Sequence, residues 1–392
     1  MAAGGRDGDG FYGRREPGDR RWDEAAGPPR GGIVPHTRRR GQSRKRRPAM
    51  EKIGIDVHKV ASQVCIQMED GTVLERRIAT TREAFAKLLG GRARARILLE
   101  ASTESEWVAQ CLEALGHEVL VGDPNFAPMY ATRSRKIKTD RRDARALCEA
   151  CALGAYRAAH RSSDTARERR AQVAVRAALV SSRTTYISLA RALVRQEGYR
   201  VGSGSARTFA TRVQAQALPA FVQARLAPLL TAIAALTAQL AAIDQALAAL
   251  VRADAVAPRL CTTPGIGPIT ALTYGAVVDE VARFGSAKEV RAYLGLVPRE
   301  HSSGEHCHRG RITKAGHRRL RALLVEAAWS MLRSARAESA ALRAWALRIA
   351  ARRGKRIAAV ALARKLAGIL YAMWRDGSDF GHPVSRRPPV AA

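Results

Sequence analysis

Four carboxylates, Asp56, Glu100, Asp140 and Asp143, stand where a chain could hold divalent cations. Asp56 sits at the end of an alternating apolar run (Ile53, Ile55, Val57), and Glu100 closes another (Ile97, Leu98, Leu99). Asp140 and Asp143 lie in Lys136-Ile-Lys-Thr-Asp-Arg-Arg-Asp-Ala-Arg145, whose other charges are all positive. Hard cations such as magnesium take oxygen ligands, and a pair of them can activate an attacking oxygen while stabilising a leaving one. Acids at the tips of two strands, with two more one helical turn apart on a shared face, would converge on such a pair. Lys136, Lys138, Arg141, Arg142 and Arg145 would then meet phosphates. Three of the acids also have a plainer reading: Asp140 and Asp143 as surface partners of arginines, Glu100 as an accident of a strand end.

A second constellation is His301-Ser-Ser-Gly-Glu-His-Cys-His-Arg-Gly-Arg-Ile-Thr-Lys-Ala-Gly316, read as a polar loop. A hydroxyl beside Gly304, followed by Arg309, Arg311 and Lys314, suits a nucleophile for phosphorus with cations to stabilise the charge that develops. Serine in such a stretch also serves ordinary turn chemistry. His301, His306, Cys307 and His308 have zinc-ligand types, yet neighbouring residues rarely bind one ion together. Cys148 and Cys151 form a CxxC inside an expected helix (141–153) with no second pair, which favours a buried structural role.

The elements that must position these groups follow from the patterning. Residues 1–49 are rich in Gly, Pro and Arg and read as a disordered basic leader, or as an artefact of start choice, since Met50 opens a patterned domain directly. From 50 to 155, Lys52–Val57, Gln63–Met68 and Thr72–Ala79 alternate like three antiparallel strands, with a hairpin signal at Asp70-Gly71. A helix capped by Thr81, a buried strand (96–100), a helix (104–115) and a fifth strand (118–121) follow. Three antiparallel strands and then β-α-β is the order of an RNase H-like domain.

Residues 156–257 are expected to be helical, with one long helix over 166–197. In that region Leu229, Ile233, Leu236, Leu240, Ile243, Leu247 and Leu250 alternate steps of four and three, an a/d seam predicting a coiled coil within or between chains. A third region, 258–375, opens on Pro264-Gly-Ile-Gly-Pro268, similar to a helix-hairpin-helix turn, and continues to helices over 318–334 and 355–371. Residues 376–392 read as a frayed tail. The fold class is therefore multidomain: α/β first, a helical coiled-coil middle, and a mostly helical carboxy-terminal domain.

Composition bounds the partners. The 392 residues carry 67 Lys and Arg against 35 Asp and Glu, a formal charge of +32, which points to nucleic acid. An apolar fraction of 46% fits a folded protein. Six scattered cysteines give no disulfide framework and fit a reducing cytoplasm. No secretory segment is visible in 1–49, and the uncharged run from Leu226 to Ile243, mostly Ala with Thr231, Thr237 and Gln239 inside it, repeats its leucines too regularly for a lipid-facing span.

Taken in order, Gly54-Ile-Asp-Val-His-Lys59, Leu99-Glu-Ala-Ser102, Lys138-Thr-Asp-Arg-Arg-Asp-Ala144, Thr263-Pro-Gly-Ile-Gly267, Tyr293-Leu-Gly-Leu-Val-Pro298, Ser302-Ser-Gly304 and Gly310-Arg-Ile-Thr-Lys-Ala-Gly316 resemble the DEDD-type insertion-sequence transposases. These bridge-RNA-guided recombinases have a RuvC-like amino-terminal domain and a serine-bearing carboxy-terminal domain. The resemblance implies magnesium, two ions per site, on Asp56, Glu100, Asp140 and Asp143. It implies a covalent phosphoserine formed at Ser303, with Ser302 the competing position. Phosphate contacts are expected from Lys138, Arg141, Arg142, Arg309, Arg311 and Lys314, and the resemblance further implies element and target DNA as substrates and a structured guide RNA. A homo-oligomer, dimer or tetramer, would assemble each site from two subunits in the bacterial cytoplasm at the nucleoid, with no membrane partner. The 49-residue leader and the His/Cys-rich 305–308 stretch depart from that pattern. Two other readings stay open: a metal-only nuclease of the Holliday-junction-resolvase kind, and a nucleic-acid-binding protein without catalysis.

Overall fold

The computed structural model describes residues 50–131, 139–303, 306–334 and 336–381, with the backbone alone for 301–309. The expected leader and most of the expected tail lie outside these residues. A mixed α/β amino-terminal part is followed by a mostly helical remainder.

The first part contains strands β1 (Lys52–Val57), β2 (Ala61–Gln67) and β3 (Val73–Ala79), helix α1 (Arg82–Leu89), β4 (Arg96–Glu100), α2 (Ser105–Ala114), β5 (Glu118–Gly122) and α3 (Asp140–Leu153). Their spatial order is β3-β2-β1-β4-β5. The first three run antiparallel, whereas β4 lies parallel to both β1 and β5. The expected meander and β-α-β crossovers are therefore both present. Asp70-Gly71 makes the first turn, with Gly71 at φ +85° and Asp70 Oδ1 accepting from Thr72 N at 2.8 Å.

Strand alternation sends Ile53, Ile55, Ile97 and Leu99 to one face of the sheet, where Phe85, Leu89, Val108 and Leu112 of α1 and α2 cover them. Each such buried side chain contributes about 1.5–3 kcal/mol. The other face receives α3: Leu147 and Cys151 meet Leu98, and Ala144 and Cys148 meet Cys65. Gly54 on β1 makes this contact close. A Cβ there would lie 2.1 Å from Cys148 N and 2.3 Å from Ala144 O, so α3 rests directly on the strand backbone.

Beyond the sheet lie α4 (Asp164–Gln196), α5 (Phe209–Gln214) and α6 (Ala220–Ala253). Both α4 and α6 are about 50 Å long at 1.5 Å per residue. Arg169 pairs with Asp254, Arg176 with Asp244 and Arg225 with Glu197, so the two helices form an antiparallel hairpin within the chain. The seam differs from the one expected. Leu226, Leu230, Ile233, Leu240, Leu247 and Val251 are buried, while Leu229, Leu236, Ile243 and Leu250 are only half-buried. The missing steps are polar: Thr237 accepts from Arg183 and Asp244 from Arg176 across the hairpin. Counting leucines cannot see a seam whose central positions are held by arginine pairs. By length and composition α6 and the helix Lys355–Asp376 could cross a membrane, but Asp244 ties α6 to Arg176 of α4.

The carboxy-terminal part comprises α7 (Ala257–Cys261), α8 (Pro268–Val278), α9 (Ala287–Tyr293), β6 (Pro298–Ser303), β7 (His306–Ile312), α10 (Arg318–Arg333), α11 (Ala340–Arg353) and α12 (Lys355–Asp376). Helix α12 is its core, burying Leu362, Leu366, Leu370 and Tyr371, and Tyr274 of α8 donates to Ala367 O at 2.8 Å. Pro264–Pro268 joins α7 to α8. Gly265, at φ +81°, faces the α10 backbone, where a Cβ would lie 2.9 Å from Ala327 O; Gly267 caps α8 with open space around it. One glycine thus serves packing and the other leaves the start of α8 uncrowded. The polar loop expected after Pro298 is instead an antiparallel ribbon, with Ser303 opposite His306 and Ser302 opposite Cys307. Its strands lack apolar alternation, the signal by which a hairpin is recognised. Helix α11 stands between the two expected helices and has no counterpart among the expected elements.

The two parts meet at Asp279, a non-glycine residue at φ +65° following α8. Its carboxylate accepts from Ser163 N at 2.9 Å and Ser163 Oγ at 2.6 Å, and lies 2.8 Å from His160 Nε2. This fastens the start of α4 to the end of α8.

Candidate active site

Asp56 occupies the central strand β1, one step beyond the Ile55–Leu99 pair of the parallel register, which sets it level with Glu100 at the end of β4. Its neighbours on that face, Gly54 and Leu98, are the residues α3 covers, so both acids point toward α3. Thr139 caps that helix, accepting from Arg142 N at 3.4 Å, and the first turn carries Asp140 and Asp143. Asp143 is buried, at 4% exposure, and Asp140 is open to solvent.

The four acids expected to act together are brought together. Burial raises the Asp56 carboxyl above its ordinary value; His58 opposes this, and the negative charges of Asp143, Asp140 and Glu100 reinforce it. Among the described residues acting on Asp56, His58 is the group that can carry positive charge. A buried carboxylate facing three others is an environment in which a divalent cation would supply counter-charge. The donor set fits a hard divalent ion.

Two residues that the sequence reading passed over hold this arrangement. His58 Nε2 lies 3.2 Å from Asp56 Oδ2 and 3.4 Å from Asp140 Oδ1. Tyr130, at the end of a short 3-10 turn (Ala127–Tyr130), donates to Glu100 Oε2 at 2.5 Å. His58 had a signal, since i and i+2 on a strand share a face; Tyr130 had none.

The expected phosphate-binding cations fare unequally. Arg141 is paired with Glu75 of β3, as is Arg145, whose Nη2 lies 2.7 Å from Glu75 Oε1. These two arginines fasten α3 to the sheet edge. Arg142 also has partners within the chain. Lys138 and the side chain of Arg309 fall outside the described residues. Arg311 and Lys314 are exposed, and Lys314 adopts φ +58°.

Ser302 and Ser303 lie on β6, and their side chains fall outside the described set. The base of the ribbon is described closely. Gly295 (φ +66°) and Gly316 (φ +71°) let the turns on either side of it interlock: a Cβ at Gly295 would lie 2.1 Å from Ala315 O, and one at Gly316 2.1 Å from Tyr293 O. Arg321 of α10 donates from Nη1 to Leu294 O (3.3 Å), Gly316 O (3.0 Å) and Ala315 O. One guanidinium thus ties both turns to α10.

Comparison with known proteins is consistent across the chain. Residues 53–197 match the model of DEDD-type transposases named for IS110, and residues 257–343 match the Transposase IS116/IS110/IS902 family. A "Probable family 20 transposase" of Pseudomonas aeruginosa is 31% identical over 333 residues, covering 83% of this chain and 96% of the relative. The "Transposase for insertion sequence element IS1111A" of Coxiella burnetii is 27% identical, over 88% of this chain and 96% of its own length. The "Transposase for insertion sequence element IS1328" of Yersinia enterocolitica is 28% identical, over 85% and 99%.

Proposed function

Because the chain belongs to the IS116/IS110/IS902 family of transposases, we propose that it excises and inserts its own insertion sequence by a metal-assisted serine mechanism. The observation that carries this reading is the convergence of Asp56, Glu100, Asp140 and Asp143 at one end of the parallel strands. These four residues would hold magnesium, two ions to a site, supplying positive charge at the scissile phosphate. Tyr130 would orient Glu100, and the Glu75 pairs with Arg141 and Arg145 would keep the first turn of α3 seated.

Ser303 would be the nucleophile. Its Oγ forms a bond to phosphorus as the bond to the leaving sugar oxygen breaks, the serine proton is lost and the departing oxygen gains one. Reversal of that step on a second strand end rejoins DNA without an external energy source. Arg311, Lys314 and Arg309 would neutralise phosphate charge around the serine, and Lys138 and Arg142 would do so at the acids. The +32 charge supports two nucleic acids held at once, the DNA and a structured guide RNA that selects the sites by pairing. Each site would combine the acids of one subunit with the serine ribbon of another in a dimer or tetramer. The strand order β3-β2-β1-β4-β5 supports the RNase H-like reading of residues 50–155, and the domains are proposed to divide at 156–257, 258–375 and 376–392.

The test is covalent trapping. Full-length protein, magnesium, flank RNA and end-labelled element-junction DNA are resolved on a denaturing gel, with Ser303→Ala, Ser302→Ala and Asp56→Ala alongside. A protein–DNA adduct lost in Ser303→Ala and Asp56→Ala but kept in Ser302→Ala is expected. Cleavage without adduct that survives Ser303→Ala and not Asp56→Ala would replace the serine mechanism by metal-only hydrolysis. Binding without any cleavage would remove catalysis altogether.

A further inference from the structure

We infer that His58 is itself a metal ligand, adding an imidazole nitrogen to the carboxylates and giving the centre a preference for manganese over magnesium. This rests on the metal-site reading above and goes beyond its four acids. The donor atoms of Asp56, His58 and Asp140 all lie within 4.8 Å of one another. Donors about 2.1 Å from a shared ion stand roughly 3–4 Å apart, the range in which His58 Nε2 faces Asp56 Oδ2 (3.2 Å) and Asp140 Oδ1 (3.4 Å). The triad also joins two elements, the end of β1 and the start of α3.

The position of His58 is built. Its backbone carbonyl accepts from Thr80 Oγ1 at 2.7 Å, and Thr80 is hydrogen-bonded at 2.8 Å to Ser62 Oγ on β2. Thr80 and Ser62 are both buried, at 9% and 0% exposure. A buried hydroxyl pair therefore pins the chain just past β1 and holds residue 58 on the face that carries Asp56. The imidazole itself is half-exposed and Asp140 more so, which leaves the ion a path from solvent. Imidazole suits first-row transition ions, whereas magnesium keeps to oxygen donors and water. The centre should thus bind manganese more tightly than carboxylates alone would.

The experiment is pulsed EPR of Mn2+ on the full chain, read for nitrogen modulation, with Mn2+ and Mg2+ affinities measured by calorimetry. Wild type is compared with His58→Ala and Asp56→Asn, each checked for retained fold by circular dichroism. The expected result is nitrogen coupling in wild type, collapsing in protein grown with 15N-histidine and absent in His58→Ala. Mn2+ affinity should fall about tenfold or more in His58→Ala while Mg2+ affinity changes by less than about threefold. Mn2+ that binds through Asp56 yet shows no nitrogen coupling, or coupling that survives His58→Ala, would overturn the His58 ligand and leave the carboxylate centre standing. Mn2+ binding that Asp56→Asn does not weaken would overturn the metal-site reading and the inference with it.

Discussion

Gly54→Ala tests whether the contact between α3 and β1 sets the active site. The added methyl would stand 2.1 Å from Cys148 N, 2.3 Å from Ala144 O and 2.7 Å from Leu147 C, against an ordinary contact of at least 3.4 Å. All three atoms are backbone, so no side chain can swing away, and α3 must lift or slide by about 1.3 Å. Overpacking of this kind destabilises by about 1–3 kcal/mol. The functional effect should be larger, because Asp140 and Asp143 ride on the first turn of that helix and would leave Asp56. A misplacement of about 1 Å in a reacting constellation lowers rates by about 100-fold. Covalent-adduct rates and Mn2+ affinity would be measured beside Gly91→Ala, whose methyl meets nothing within 4 Å. Gly54→Ala with the melting temperature and adduct rate of Gly91→Ala would refute the claim that this glycine seats the helix.

Two more outcomes can be checked. Arg321→Ala frees both turns at the base of the serine ribbon, so adduct yield should drop at least about tenfold while Mn2+ binding at the acids stays unchanged, with Arg321→Lys intermediate; an unaltered yield would show that the clamp is dispensable. His317 Nδ1 accepts from Leu320 N at 3.2 Å, capping α10, and burial, then Arg170, Arg319 and Arg321, lower its pKa from the ordinary 6.5. The neutral ring favours the fold, so this stability is full above pH 6.5 and is lost as pH falls through the lower folded-state value. His317→Asn keeps a capping group and removes the titration, so its melting temperature should fall less than that of wild type between pH 7.5 and 5.5; an equal or greater fall would count against the cap.

The sheet was legible because period-two apolar runs and the Asp70-Gly71 turn are local signals, and α3 because Thr139 and the Asp140–Arg145 pattern open it. The meeting of Asp56, Glu100, Asp140 and Asp143 could be inferred from strand ends and helical spacing, since each acid sits at an element terminus. What stayed hidden depends on partners distant in sequence. Glu75 holds arginines 66 and 70 residues away. The α4–α6 seam could not be read from leucines because Asp244 and Thr237 occupy positions that only Arg176 and Arg183 complete. The ribbon of β6 and β7 is polar on both strands, so its pairing leaves no periodic trace.

The α4–α6 hairpin has one more consequence, for how freely the molecule can change. The chain leaves the acid-bearing sheet at Ser163 and returns to the serine-bearing part at Asp254, and Arg169 pairs with Asp254 at 2.5 Å, so the excursion of about 50 Å begins and ends at one place. Asp279 ties that junction to α8. The reach of the arm is thereby uncoupled from the seating of the units that flank it. Matched heptads could be removed from or added to its two limbs without altering the junction at its root. Evolution, or an engineer, can retune how far this arm reaches while leaving the acid-bearing and serine-bearing parts at its root as they are.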